Sequence, residues 1–318
     1  MVISNLGNKS EEWLASMKNK HTELFLIPSV VFSMVTLVTD PVLLTCIFCF
    51  RPLRRETRYL LLANTLTCDV IFTILNFTSM LFNTMRFSML RVVCEVIMVV
   101  TVTTYCCSVI TVTTMVIDTY LAVRWPLQYH NRVSPSRTRK IIAGLWVLAS
   151  AYPVSLVVIG EVIFEEAPYE LPLCLNIVLL GTFGSQTKVG IYLFFTISVV
   201  MCFLVILFCY VRLYMVTRSS GIWQSRFSRA RATLSAHGIM LVLYFSPGLV
   251  FTVELALYEH DALREELALW LNLVNVSVLM LLPRVFAPYL YGLRYREIYN
   301  TLHLLLWRRC QLHQVSVG

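Results

Sequence analysis

Charged side chains are scarce in this sequence of 318 residues: 14% are charged, while 58% are hydrophobic. A soluble domain carries about 25% charged residues. The shortage means that much of the folded surface does not face water. This excludes an ordinary soluble protein and predicts an integral membrane protein.

Other patterns are missing as well, and each absence argues against a class of protein. The apolar runs lack the strict polar and apolar alternation of a membrane barrel. The first 23 residues are polar, so no cleavable signal peptide is visible. There is no HExxH motif, no GxSxG motif and no close pair of catalytic carboxylates, and His237 is an isolated histidine. We therefore expect neither an enzyme nor a bound metal or cofactor.

Long apolar runs are what the sequence does contain. A membrane helix needs about 20 apolar residues to cross about 30 Å of hydrocarbon. Seven runs meet this length, and they are the predicted spans one to seven: residues 24–50, 59–82, 92–123, 141–160, 189–217, 234–257 and 267–292. The predicted fold is an all-α bundle of seven transmembrane helices (residues 24–292), between a tail at 1–23 and a final segment at 293–318.

The distribution of charge predicts the orientation of the bundle. Of the 26 basic residues, 18 fall in 51–58, 124–140, 212–231 and 294–309, on one side of the bundle. The positive-inside rule makes this side cytoplasmic. Acidic residues collect on the other side, so we expect an extracellular N-terminus in the plasma membrane. The net charge of +8 then reflects topology and does not indicate nucleic-acid binding.

Three features on either side of the bilayer suggest covalent modification. Cys94 opens span three and Cys174 lies in the second outer loop, both on the oxidising side, where a disulfide would hold the loop over the bundle. Asn8 begins an Asn-Lys-Ser glycosylation acceptor in the outer tail. Cys310 follows a basic amphipathic stretch and is either a palmitoylation site or an inert thiol.

The end of span three carries a recognisable motif. Residues 115–129 resemble the DRYxAxxxPLxY signature of rhodopsin-like G-protein-coupled receptors, with Asp118, Tyr120 and Pro126 at matching positions. Cys94 precedes Thr119, at the DRY arginine position, by the family spacing of 25 residues. Five further positions in other spans match the family: Asp69, Tyr210, Pro247, Pro288 and Tyr291.

Two stretches, 231–237 and 283–294, look like odorant-type receptors in particular. The run 219–231 is similar to an orphan member of the class described as brain- and testis-restricted, which also lacks the DRY arginine. The resemblance implies a receptor that senses an extracellular ligand and signals to heterotrimeric G proteins. It also implies a short eighth helix in 293–309, whose apolar face and arginines suit the membrane interface.

The departures from the family pattern bear on coupling. Thr119 replaces the arginine that binds the neighbouring aspartate at rest and moves into the G-protein pocket on activation, so Asp118 is expected to have lost its partner. A receptor-like protein with weak or no G-protein coupling is one alternative. An ion transporter or channel is another, although no internal repeat or pair of broken helices supports it.

Three charges fall near the middle of predicted spans. An isolated charge at mid-bilayer costs roughly 3 kcal/mol or more, so such residues are usually paired or hydrated. In the family, the aspartate at the position of Asp69 often helps to hold a sodium ion, and Ser108 matches the position of one ligand of that ion. We expect Arg284 to fill the site as a built-in cation paired with Asp69, with Asp40 as a second candidate partner, unless each residue faces a separate water-filled gap.

The outer halves of the spans supply candidates for ligand contact. Thr101 stands where amine receptors keep an aspartate, so a monoamine ligand is not expected. A pocket of mixed polarity is predicted from Thr101, Tyr105, Ser198, Phe245, Thr252 and Ser277. Glu254 is the candidate for a charged ligand. The alternative for each hydroxyl is a hydrogen bond within the bundle.

Overall fold

A computed structural model describes residues 26–85, 87–125, 127–129, 133–163, 170–171, 174, 185–219, 226–259 and 265–292. The predicted tail with Asn8, the predicted interfacial helix and Cys310 lie outside these residues, as does Pro126.

The described helices correspond one by one to the predicted spans. Most extend a few residues beyond the predicted ends, because helix continues past the apolar run into the interface. Spans one to six are Leu26–Cys49, Thr57–Met85, Arg91–Arg124, Pro135–Ile163, Ser185–Ser219 and Arg226–Glu259. Span seven consists of an α-helix at Glu265–Val274, a π-helical segment at Asn275–Leu279 and an α-helix at Leu282–Gly292. A single helical turn, Arg51–Arg54, joins spans one and two.

Length and apolar composition explain why these segments are helical. Lipid offers no partner for backbone groups, and a helix satisfies them internally. In the described part of the chain, spans one, two, three, four and seven are long and apolar enough to cross a bilayer. Spans five and six contain shorter apolar stretches, Thr196–Arg212 and Gly238–Val253.

Span three lies at the centre of the bundle. It packs against spans two, four, five and six, while span one packs against spans two and seven. A buried apolar cluster that includes Leu62, Leu66, Val112, Val116 and Leu281 connects them. Spans two and four differ most in burial: 67% of the most apolar stretch of span two is buried, against 11% in span four. Span four therefore presents most of its surface to lipid.

The outer mouth of the bundle is held by a short strand pair and a disulfide. Met89–Leu90 pairs antiparallel with Glu170–Leu171. Cys94 is bonded to Cys174, with their Cα atoms 5.7 Å apart. The amide of Asn83 in span two accepts a hydrogen bond from the backbone N–H of Cys174 at 2.8 Å and donates one to its carbonyl at 3.0 Å. The second outer loop is thus attached at Cys174 to both spans two and three.

Candidate functional site

A polar cluster at mid-bundle is built around the carboxylate of Asp69 in span two. Its Oδ1 accepts a hydrogen bond from the Ser108 hydroxyl of span three at 3.1 Å. Its Oδ2 accepts one from the Tyr244 hydroxyl of span six at 2.7 Å. Arg284 of span seven brings its Nε to within 3.5 Å of Oδ1. Four helices therefore meet at one fully buried carboxylate.

The guanidinium of Arg284 is held by more than its ion pair. Its Cζ lies 3.4 Å from the ring centroid of Phe72 and 5.7 Å from that of Tyr244, within the range of cation–π attraction. One terminal nitrogen donates to the carbonyl of Met280 in the same span. A planar, weakly hydrated guanidinium suits such a dry aromatic site better than an ammonium would.

Asp40 is also fully buried, but it stands apart from this ion pair. Its Oδ1 accepts a long hydrogen bond of 3.4 Å from Thr39, and its Oδ2 has no hydrogen-bond partner among the described residues. Within the same residues, no salt bridge joins Asp40 to Arg284. Of the two carboxylates predicted to pair with Arg284, the structure brings Asp69 to it and leaves Asp40 outside.

A second set of contacts surrounds Pro247, which lies inside the span-six helix. Pro247 has no N–H to offer the carbonyl of Leu243, and the Ser246 hydroxyl donates to that carbonyl at 3.0 Å. Asn275, in the π-helical segment of span seven, donates to the carbonyl of Pro247 at 3.0 Å. The Tyr105 hydroxyl of span three donates to the carbonyl of Tyr244. Tyr105 therefore contacts span six three residues before Pro247.

The predicted ligand hydroxyls mostly bond within their own helices. Thr101 donates to the carbonyl of Ile97 at 2.6 Å, Ser198 to Phe194 at 2.7 Å and Thr252 to Gly248 at 2.7 Å. These geometries match the packing alternative. A hydroxyl that donates in this way still has acceptor capacity for a ligand.

The remaining ligand candidates are placed differently. Ser277 is buried, with its hydroxyl 3.9 Å from the sulfur of Met80. Phe245 is half-buried and packs against the apolar cluster. The side chain of Glu254 lies outside the described residues.

At the cytoplasmic end, the expectation that Asp118 has no partner is wrong. The Tyr129 hydroxyl, from the loop after span three, donates to its Oδ1 at 2.7 Å. Burial, followed by the nearby charge of Asp118, raises the pKa of Tyr129 well above its usual range, so the phenol stays protonated and remains a donor. The Thr119 hydroxyl donates to the carbonyl of Met115, in its own helix, at 2.9 Å.

The other residues of the predicted activation face do not join this contact. Tyr120 packs edge-to-face against Phe208 of span five, with ring centroids 6.3 Å apart. Tyr210 is exposed and Pro288 is buried within span seven. The side chain of Tyr291 lies outside the described residues.

Three contributors were missed by sequence reasoning. Sequence reasoning gave Tyr244 no role, although a tyrosine facing a buried aspartate is a natural donor. Tyr129 was noted only as part of the family motif, and nothing in its local sequence indicates that the loop folds back to span three. Phe72 carried no signal, since a phenylalanine in an apolar span is normally packing.

Seven membrane helices, a central span three tied by a disulfide to the second outer loop, and a buried carboxylate shared by four spans define a seven-helix receptor. The model of the family described as 7 transmembrane receptor (rhodopsin family) matches residues 40–291, and the chain belongs to this family. The general function of the family is G-protein signalling in response to a ligand, and the chain is a multi-pass membrane protein.

Three relatives are similar over different shares of the chain. Probable G-protein coupled receptor 148 from Homo sapiens is 31% identical over 280 residues, which cover 86% of this chain and 80% of the relative. Odorant receptor 131-2 from Danio rerio is 21% identical over 254 residues, which cover 78% of this chain and 75% of the relative. Olfactory receptor 4K2 from Homo sapiens is 25% identical over 142 residues, which cover 42% of this chain and 43% of the relative.

Proposed function

We propose that this chain is a plasma-membrane receptor with an extracellular N-terminus that senses an extracellular ligand and couples to heterotrimeric G proteins with damped output. The ligand is not a monoamine, because Thr101 supplies no carboxylate for an amine and is engaged with its own helix. The observation that carries the proposal is the Asp69 cluster. It links spans two, three, six and seven, so a ligand that moves any of these helices acts on the others.

The contacts at the cytoplasmic end of the bundle support the proposal that G-protein output is damped. Asp118 is satisfied by Tyr129, and Thr119 carries no charge with which to enter a G-protein pocket. The resting contact has therefore been replaced by a different one, while the cationic group used on activation in the family is gone. A bundle of this kind can still change shape, but it offers a weaker contact to the transducer.

A chemosensory ligand is the more specific form of the proposal. Two relatives are named as an odorant receptor and an olfactory receptor. The candidate ligand residues combine apolar and hydroxyl groups with one carboxylate, that of Glu254, which suits a small molecule of mixed polarity. A panel of volatile and water-soluble odorants is the appropriate first screen.

The direct test restores the missing charge. Thr119→Arg, Thr119→Lys and Thr119→Val are expressed at matched surface levels, and constitutive output is measured with reporters for each G-protein class. We expect Thr119→Arg to raise output by about 5-fold or more, as a coupling term of 1 to 3 kcal/mol would give. Thr119→Val, which removes the hydroxyl and adds no charge, is the matched control and should not raise output.

Two outcomes would contradict the proposal. Equal output from Thr119→Arg and Thr119→Val would show that the missing arginine does not limit signalling. A wild-type chain and a Thr119→Arg variant that both stay silent with every G-protein class and across the ligand panel would favour the receptor-like alternative without coupling.

A further inference from the structure

Two free cysteines meet at the interface between spans two and three. Cys68 and Cys107 are both fully buried, and neither takes part in the disulfide at the outer mouth. Together with Ala149 of span four they form a small buried cluster, against which Leu145 and Trp146 pack. A single buried cysteine usually acts as a small apolar side chain, but two thiols at one contact can also react with each other.

The register of the two helices explains why the thiols meet. Spans two and three are consecutive and therefore cross the bilayer in opposite directions, and Asn64 of span two donates to the Thr111 hydroxyl of span three at 2.9 Å. Cys68 lies one helical turn after Asn64, and Cys107 lies one turn before Thr111. A contact between Asn64 and Thr111 therefore repeats one turn further along as a contact between Cys68 and Cys107.

Contacts on both sides of the pair support this register. The Cys68 thiol lies close enough to the Cys107 thiol for the two to interact as donor and acceptor. On the residues that follow each cysteine, the Ser108 hydroxyl donates to Asp69 at 3.1 Å. The thiol pair is thus flanked by two hydrogen bonds between the same helices, which hold the two backbones in place at its level.

The two sulfur atoms are not equivalent. The Asn64 amide directs an N–H at the Cys107 sulfur, with nitrogen and sulfur 3.6 Å apart. The hydroxyl near Cys68, that of Ser108, gives its hydrogen to Asp69. A thiol attacks an oxidant as its thiolate, and a donor directed at the sulfur stabilises the charge that develops there. Cys107 is therefore the better placed nucleophile, and Cys68 is placed to react with its oxidised form.

The surroundings of the pair select the reagents that reach it. Because both sulfur atoms are fully buried inside the bundle, a charged tripeptide such as glutathione has no access to them. Span four covers the pair, and only 11% of its most apolar stretch is buried, so a single helix separates the thiols from lipid. Hydrogen peroxide is small and uncharged, and it enters such a site when the helices fluctuate.

We propose that Cys68 and Cys107 form an oxidation site at which hydrogen peroxide converts the thiol pair into an intramembrane disulfide. The Cys107 sulfur attacks one peroxide oxygen, the O–O bond breaks, and one water leaves as Cys107 becomes a sulfenic acid. The Cys68 sulfur then attacks the Cys107 sulfur, the S–O bond breaks, and the hydroxyl leaves with the Cys68 proton as a second water. The two thiols lose two electrons and two protons, and the peroxide is reduced to two water molecules.

The new bond has a consequence that can be measured without a signalling assay. It joins spans two and three directly beside the hydrogen bond between Asp69 and Ser108. A cross-link between two helices restricts the unfolded chain, so the oxidised receptor should unfold at a higher temperature than the reduced one.

The test uses the purified full-length receptor in lipid nanodiscs. One half is treated with a dose series of hydrogen peroxide that extends to the onset of methionine oxidation, and the peroxide is then removed. Both halves are unfolded in N-ethylmaleimide to block free thiols, and linked peptides are identified by mass spectrometry, with the Cys94–Cys174 bond as the internal reference. We expect a reductant-sensitive link between Cys68 and Cys107 in the treated half alone, together with a higher unfolding midpoint. Maleimide on both cysteines at every dose would overturn the proposal.

Single substitutions assign the two roles. In Cys68→Ala the sulfenic acid on Cys107 has no partner and should be captured by dimedone, whereas Cys107→Ala should give much less dimedone on Cys68. Cys106→Ala, beside Cys107 but on another face of span three, is the matched control and should leave the link and the midpoint shift unchanged.

Two further results would contradict this account. Equal dimedone labelling in Cys68→Ala and Cys107→Ala would show that Cys107 is not the preferred nucleophile. A peroxide-dependent rise in midpoint that survives in Cys68→Ala would show that the rise does not come from this bond. The wild-type peptide analysis decides whether the link forms even if one of the variants fails to fold.

Discussion

The middle and the cytoplasmic end of the bundle each depart from the family pattern, and they compensate in different ways. At mid-bundle, Arg284 adds a fixed cation beside Asp69, and every member of the cluster is fully buried. At the inner end a cation is lost, and a neutral phenol from a half-buried loop takes its place beside Asp118. The first change adds a buried ion pair between spans two and seven. The second leaves the signalling face with a weaker and more local contact.

The largest expected effect comes from breaking the buried ion pair. Arg284→Gln or Asp69→Asn alone leaves a buried charge without its partner, and we expect a loss of about 3 to 5 kcal/mol of stability. Surface expression and thermal unfolding would report it. In a double-mutant cycle the two changes should be strongly non-additive. Additive losses would show that the two residues do not act as a pair.

A smaller loss is expected for Tyr244→Phe. The change removes the hydroxyl donated to Asp69 but keeps the ring beside the Arg284 guanidinium. Hydrogen bonds to charged groups contribute about 1.5 to 3 kcal/mol, and the unfolding midpoint should fall accordingly. Tyr289→Phe, on the exposed face of span seven, is the control. Equal unfolding midpoints for Tyr244→Phe and Tyr289→Phe would show that the Tyr244 hydroxyl does not stabilise the cluster.

Tyr129→Phe should cost less, about 1 kcal/mol, because the hydrogen bond lies in a half-buried loop. Its main consequence should be on signalling, since Asp118 is released at the inner end. We expect basal output to rise further when Tyr129→Phe is combined with Thr119→Arg. Because the raised pKa keeps the phenol protonated, the stability difference should not vary across neutral pH. A difference that changes with pH in this range would contradict this account.

The smallest effect is expected for Arg58→Gln at the cytoplasmic edge. Arg58 forms a 3.3 Å ion pair with Glu56, and both side chains are substantially exposed. Such pairs contribute about 0 to 1 kcal/mol. Thermal unfolding at low and high salt should show little change. A loss as large as that of Tyr129→Phe would mean that Arg58 supports the Asp118 contact as well.

Sequence reasoning worked best where the bilayer imposes the constraint. The seven apolar runs had to be helices, and the high cost of a buried charge predicted that Arg284 would seek a carboxylate. It left open whether Asp40 would join that pair, because this depends on the relative rotation of spans one, two and seven. Helix rotation depends on packing across the whole interface and leaves no local mark in the sequence.

Two features were beyond prediction for different reasons. The contact of Tyr129 with Asp118 depends on the path of a loop, and loop paths follow from tertiary packing. The π-helical segment at Asn275–Leu279 reads Asn-Val-Ser-Val-Leu, which differs in no obvious way from other apolar helix. The predicted ligand residues remain predictions, since they rest on alignment with the family.

The π-helical segment has a geometric consequence for Arg284. The N–H of Met280 reaches back five residues to the carbonyl of Asn275 at 2.8 Å, so the wide turn takes up one residue more than an α-helix would. The next N–H, that of Leu281, reaches back only three residues to the carbonyl of Val278 at 3.2 Å, so a wide turn is followed at once by a tight one. The direction in which Arg284 leaves the helix is therefore fixed by these two turns. Tightening this single turn would withdraw the arginine from its carboxylate while the rest of span seven stayed helical.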